Sequence, residues 1–128
     1  MTLYGLGIDV VEVDRVRSSM NEFGEQFLNR IFTENERLYC ENQKNKDLSY
    51  AARFAAKEAI AKAFGTGIGK SMSWKDLEVH RKPSGEPSVI LHGKAQELAA
   101  SLNVLEIKLS LTHAKHYAAA NAVILLSS

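Results

Sequence analysis

The chain has 128 residues, a formal net charge of +1 and 45% hydrophobic residues. That length suits a single domain spanning residues 1–128, and the apolar content supports a packed core rather than disorder. The near-neutral charge argues against a general nucleic-acid binder, and a single cysteine, Cys40, rules out an internal disulfide and a thiolate metal cage.

Met1 to Val11 has no basic run before its apolar residues, so it does not read as a signal peptide. The longest apolar stretch, Ala118 to Leu126, is too short to span a bilayer. A soluble, cytoplasmic protein with no membrane partner is expected.

Leu3 to Val11 reads as a buried strand, with Asp9 near its end. Asp14 is placed to cap a helix running through Val16, Met20 and Phe23, which Gly24 interrupts. Thr33 to Glu36 carries a capping-box pattern, and a helix follows to about Asn42. Cys40 reads as an ordinary residue of that helix, with nothing nearby to activate its thiol. The polar run Asn42 to Asp47 predicts a loop. A long helix then spans Leu48 to Phe64, with Ala52, Ala56, Ala59 and Ala63 forming a narrow face for close packing. Gly65 to Gly69 ends it.

Leu77 to His80 and Ser88 to Leu91 read as strands about the turn Pro83 to Pro87, hence a hairpin. Lys94 to Leu102 is a short helix. Glu106 to Thr112 alternates, with Ile107, Leu109 and Leu111 on one face, and after a turn near Lys115 the strand Tyr117 to Leu126 closes the chain. Helices between strands and hairpins indicate an α+β domain.

Four segments could carry chemistry. Asp9 interrupts an apolar strand, where a carboxylate is either a solvated strand end or bound to a partner. Glu58 and Lys62 share a helix face, either as a surface ion pair or as part of a site, and the spacing places Arg53 near them. The Gly65–Thr66–Gly67 turn is either a helix cap or a weak phosphate cradle, and a helix C-terminus has the wrong dipole for anions. His113 ends a strand and is either structural or functional. His80, His92 and His116 have no metal-ligand spacing. Hard carboxylates among cations, without soft ligands, fit Mg²⁺ and a phosphate-bearing substrate.

These segments together resemble the holo-[acyl-carrier-protein] synthase family of 4′-phosphopantetheinyl transferases. The residues that carry the resemblance are Gly7-Ile8-Asp9 with Glu12 and Arg15, the run Arg53 to Ala59, Lys62 to Gly67, Gly85-Glu86-Pro87, Ser110 to His113 and Ala118 to Ala120. Two departures are visible: Glu86 where a basic residue is common, and Thr112 where serine is frequent.

The resemblance implies a small antiparallel sheet wrapped by a long central helix, and a homotrimer with active sites between subunits. The apolar alternation of the last two strands is compatible with such an interface. It further implies transfer of 4′-phosphopantetheine from coenzyme A to a serine of an acidic acyl carrier protein, in support of fatty acid biosynthesis. By the same resemblance, Asp9 and Glu58 would hold Mg²⁺ and Lys62 would neutralise the pyrophosphate, with Asp9, Glu58 and Lys62 forming the catalytic set. Arg53 and His113 would meet the adenosine-phosphate end, with Gly65, Thr66, Gly67, Gly85 and Pro87 shaping its pocket. Arg15, Arg17 and Arg30 would form a carrier-docking face. A non-enzymatic binding module and a small Mg²⁺ phosphohydrolase are the rival readings.

Overall fold

The computed structural model describes residues 1–128. The elements in chain order are β1 (Thr2–Glu12), α1 (Val13–Phe23), α2 (Glu25–Ile31), α3 (Glu34–Glu41), α4 (Lys46–Phe64), β2 (Leu77–Arg81), β3 (Pro87–Leu91), α5 (Gly93–Leu102), β4 (Val104–His113) and β5 (Tyr117–Leu126). A three-stranded antiparallel sheet runs in the order β1-β5-β4, and β2 and β3 pair separately as the expected hairpin. No helix is long and apolar enough to cross a membrane.

The long helix packs on one face of the three-stranded sheet, and its small residues explain how closely. Ala52, Ala56, Ala59 and Ala63 are all buried. A Cβ built on Gly7 would stand 1.8 Å from the carbonyl oxygen of Ala59, and one on Gly5 would stand 1.9 Å from that of Ala63. Two β1 backbone segments thus touch two turns of α4, a distance only glycine permits. The sheet residues facing the helix are Ala118, Ala120, Ala122 and Ile124 of β5, with Ile107, Leu109 and Leu111 of β4 beside them. A second cluster joins Val13, Val16, Ile31, Phe32 and Tyr50 where α1, α2 and α3 cover the start of α4.

The capping box at Thr33 forms as expected: Thr33 Oγ1 accepts from the Glu36 backbone and Glu36 Oε1 accepts from the Thr33 backbone. Glu36 then does more. It is buried and pairs with buried Lys57 at 2.8 Å, while its Oε2 accepts from Val79 N at 2.7 Å. Lys57 Nζ also donates to the carbonyls of Trp74 and Leu77 at 3.0 and 2.6 Å. Burial lowers the proton affinity of Lys57, and Glu36 works against that. The pair bolts α3, the helical turn Trp74–Asp76 and β2 to the middle of α4, one residue before Glu58. Buried Cys40 accepts from Ser49 Oγ, and burial pushes its thiol up, away from redox use.

Four expectations need correction. Asp14 does not cap α1; the helix starts at Val13 with Glu12 at the cap position, and Asp14 instead pairs with Arg17. The long helix begins at Lys46, because the Asn45 side chain caps it by accepting from Leu48 N. β1 is not buried on both faces in one chain: Leu6, Ile8 and Val10 are 60–66% exposed. The apolar alternation of β4 faces α4, so the open apolar face belongs to β1 rather than to the last two strands.

Candidate functional site

Asp9, Gly5 and Gly7 lie on the helix-facing side of β1, because side chains alternate along a strand. The glycines bring the strand onto α4, so Asp9 arrives beside the turn that carries Glu58 and Lys62. Lys62 Nζ donates to Asp9 Oδ1 at 2.9 Å and to Ile8 O at 3.2 Å. The hydrogen bond to Asp9 raises the proton affinity of Lys62. Glu58 takes no such bond and feels Lys62 only through space. Partial burial, and then the charge of Asp9, hold its carboxyl above the ordinary glutamate range. The sequence-level pair Glu58/Lys62 is therefore better described as a triad in which Lys62 turns to Asp9.

Asp9 and Glu58 line one groove of about 440 Å³, with Arg15 at its edge and Phe27, Phe54 and Tyr117 among its walls. Phe54 is backed by Trp74, ring centroids 4.9 Å apart. No third His, Cys, Asp or Glu joins the two carboxylates in a ligand cluster. That donor set fits Mg²⁺, which takes one or two protein carboxylates and completes its octahedron with phosphate and water.

Arg53 does not join this groove, against the expectation from spacing. It is 3% exposed and lines a second groove of about 420 Å³ with His113, Lys44, Tyr39 and Arg81. Its guanidinium stacks 4.0 Å from the Tyr39 ring centroid, Nη1 donates to Ser49 Oγ, and its buried Nε has no partner. That leaves one buried guanidinium N–H free beside a groove also lined by Lys44, Arg81 and His113. The two grooves share no lining residue. A larger groove between α5, β3 and β4, about 670 Å³, holds none of the predicted residues.

The glycine turn caps α4, with Gly65 in the left-handed region at φ 83°. The backbone N–H groups of Gly65, Thr66 and Gly67 donate to the carbonyls of Ala61 and Lys62, so this turn can offer a ligand its shape but not a nest of donors. Gly85 O accepts from Arg81, and Pro87 opens β3. Glu86 approaches Lys108 at 3.8 Å. Among the arginines expected to dock a carrier, Arg15 borders the carboxylate groove and Arg30 lies in the last turn of α2. Arg17 is held by Asp14 and Asp47, which leaves it little charge to offer a partner. Sequence reading missed Tyr39, Lys44, Arg81 and the Phe54–Trp74 wall. Phe54 stands inside the Arg53 to Ala59 run but carries no sign of its role there, and the others have no periodicity or motif signal, since each takes its place only through tertiary contact.

Comparison with known proteins agrees with this architecture. The sequence profile of the 4′-phosphopantetheinyl transferase superfamily matches residues 5–122. The holo-[acyl-carrier-protein] synthase of Chlamydia trachomatis is 48% identical over 121 residues, 94% of this chain and 98% of that one. The crystal structure of the Neisseria meningitidis holo-[acyl-carrier-protein] synthase superposes with a TM-score of 0.91 at 29% identity, covering 97% of this chain and 99% of that one. That of the Bacillus anthracis synthase, in complex with CoA (3′,5′-ADP), gives 0.83 at 36% identity, covering 99% and 100%.

Proposed function

This chain belongs to the 4′-phosphopantetheinyl transferase superfamily, and on that premise we propose that it transfers 4′-phosphopantetheine from coenzyme A to a serine hydroxyl of an apo acyl carrier protein. The observation that carries the reading is the pair of grooves: one lined by Asp9 and Glu58, with Lys62 bonded to Asp9 beside it, the other cationic with an unpaired buried arginine nitrogen. A substrate with a pyrophosphate at one end and a phosphorylated nucleoside at the other has a use for both.

Asp9 and Glu58 would hold Mg²⁺, which when bound neutralises pyrophosphate charge. Lys62, already directed at Asp9, lies where it would steady the same oxygens. The serine oxygen of the carrier attacks the β-phosphorus of coenzyme A. A P–O bond forms, the P–O bond to the nucleotide side breaks, and 3′,5′-ADP leaves. Glu58 is the candidate acceptor for the serine proton, since it is the carboxylate that lines the groove without taking a hydrogen bond from Lys62. The remaining contribution is positioning and electrostatics, as in phosphoryl transfer generally. Arg53 and His113 take the nucleotide end, and Arg15, which lines the carboxylate groove, meets the acidic carrier together with Arg30 of α2.

A homotrimer with sites between neighbours suits this reading. The exposed β1 face of Leu6, Ile8 and Val10 is the kind of surface a partner copy covers, and a neighbour would let two separate grooves serve one substrate. The setting is the cytoplasm, where fatty acid synthesis would consume the product.

The test is the intact mass of an apo acyl carrier protein after incubation with coenzyme A, Mg²⁺ and this protein. A gain of one phosphopantetheinyl group, abolished by EDTA, is expected. No gain with several apo carriers would favour a binding module, and release of inorganic phosphate without a carrier would favour a phosphohydrolase.

A further inference from the structure

We propose that Lys62 competes with the metal for Asp9, and that coenzyme A promotes metal loading by drawing the lysine away. This inference rests on Asp9 and Glu58 holding the metal and on coenzyme A being the substrate.

Lys62 Nζ donates to Asp9 Oδ1 at 2.9 Å and to Ile8 O at 3.2 Å, so the ammonium bridges the β1 backbone and its carboxylate. The two partners differ in freedom. The Asp9 side chain is 14% exposed, on a strand that Gly5 and Gly7 press against α4. The Lys62 side chain is 49% exposed, in the last turn of α4, on an unbranched stem that can swing into water. Lys62 is also absent from the groove lining that Asp9 and Glu58 share, so it reaches Asp9 from outside the groove. Asp9 is therefore the fixed partner and Lys62 the movable one.

A carboxylate has enough lone pairs for an ammonium and a metal ion together. The conflict is electrostatic. A divalent cation on Asp9 would face the ammonium across a few ångströms, where little salt or water intervenes. A metal arriving alone must break the Lys62–Asp9 bond or sit beside its charge, and either weakens its binding. A pyrophosphate reverses this, because its oxygens accept Lys62 and leave Asp9 to the metal. Lys62 thus opposes the metal only while the substrate is absent. Metal and coenzyme A then bind with positive coupling, and by linkage each raises the affinity of the other by the same factor.

The experiment is an EPR titration of free Mn²⁺, standing in for Mg²⁺, against the parent, Lys62→Met, Lys62→Arg and Asp9→Asn. It is run without and with saturating coenzyme A, corrected for Mn²⁺ held by coenzyme A alone, and melting curves check that each variant is folded. Without coenzyme A, Lys62→Met should bind Mn²⁺ about fivefold more tightly than the parent, the upper range for a partly exposed ion pair. With coenzyme A that difference should vanish. Lys62→Arg keeps charge and reach, and should follow the parent in both conditions. Unchanged or weaker binding by Lys62→Met without coenzyme A overturns the inference. An equal gain in both conditions also overturns it, since that marks a plain loss of positive charge. If Asp9→Asn binds Mn²⁺ as the parent does, the metal reading falls and the inference with it. If Asp9→Asn loses Mn²⁺ while Lys62→Met matches the parent, only the inference falls.

Discussion

Replacing Gly7 by alanine tests the contact that builds the site. Elsewhere, Gly→Ala commonly stabilises by about 0.4–1 kcal/mol because the unfolded chain loses freedom. Here the new methyl would stand 1.8 Å from Ala59 O and 2.7 Å from Ala63 N. Both are backbone atoms of α4, so no side chain can swing aside. Restoring ordinary contact requires β1 and α4 to part by about 1.5 Å, and that separation strips packing from both. Overpacking costs about 1–3 kcal/mol in cores that can adjust, and the backbone origin of this clash puts Gly7→Ala at the upper end. The steric cost therefore exceeds the entropic gain by about 2 kcal/mol, which for a chain of this length lowers the melting temperature by roughly 6–10 °C. Asp9 is two residues along the same face, so the variant should also lose transfer activity beyond what its unfolded fraction explains. Thermal unfolding by circular dichroism reads the first effect, and carrier modification at a temperature where the variant is fully folded reads the second. A melting point equal to or above that of the parent would refute the close approach.

Lys57→Met leaves Glu36 charged and buried without its partner, and urea unfolding should show a loss of about 3–5 kcal/mol. The raised proton affinity of Glu58 means the folded, metal-free protein binds its proton more tightly than the unfolded chain does, so stability falls as pH rises above the ordinary glutamate value of 4.5. Glu58→Gln should therefore be the more stable protein in EDTA at neutral pH, with the difference closing as pH drops below that value; a constant difference across pH would contradict it. Ile8→Asp places a charge on the open β1 face, and sedimentation should show a trimer for the parent and a monomer for the variant.

Much of this was legible because short-range signals decide it. The capping box at Thr33, the left-handed Gly65 and the hairpin turn at Gly85 each depend on a few adjacent residues. The alanine face of α4 announced close packing, although not that Gly5 and Gly7 would meet it. Asp14 misled because Asp is a good cap wherever a helix begins, and the start was set by β1 running straight into α1. The polar Lys46–Asp47 pair concealed the first turn of α4, since an exposed helical turn and a loop have the same composition. The site divided along the same line. Glu58 and Lys62 follow from helical spacing, whereas Asp9 belongs with them only once the strand is laid on the helix. Arg53 follows neither rule: one step round the helix turns it toward Tyr39 and the second groove. Arg81 and Tyr39 are 42 residues apart and meet only in the folded chain.

The central claim is that Asp9 and Glu58 together hold the metal on which transfer depends. Its most direct test is the mass gain of an apo acyl carrier protein across a Mg²⁺ titration, run with the parent, Asp9→Asn and Glu58→Gln and accompanied by melting curves. Saturable, Mg²⁺-dependent transfer by the parent and its loss in both folded variants are expected. Undiminished transfer by either variant, or transfer by the parent that survives EDTA, would contradict it.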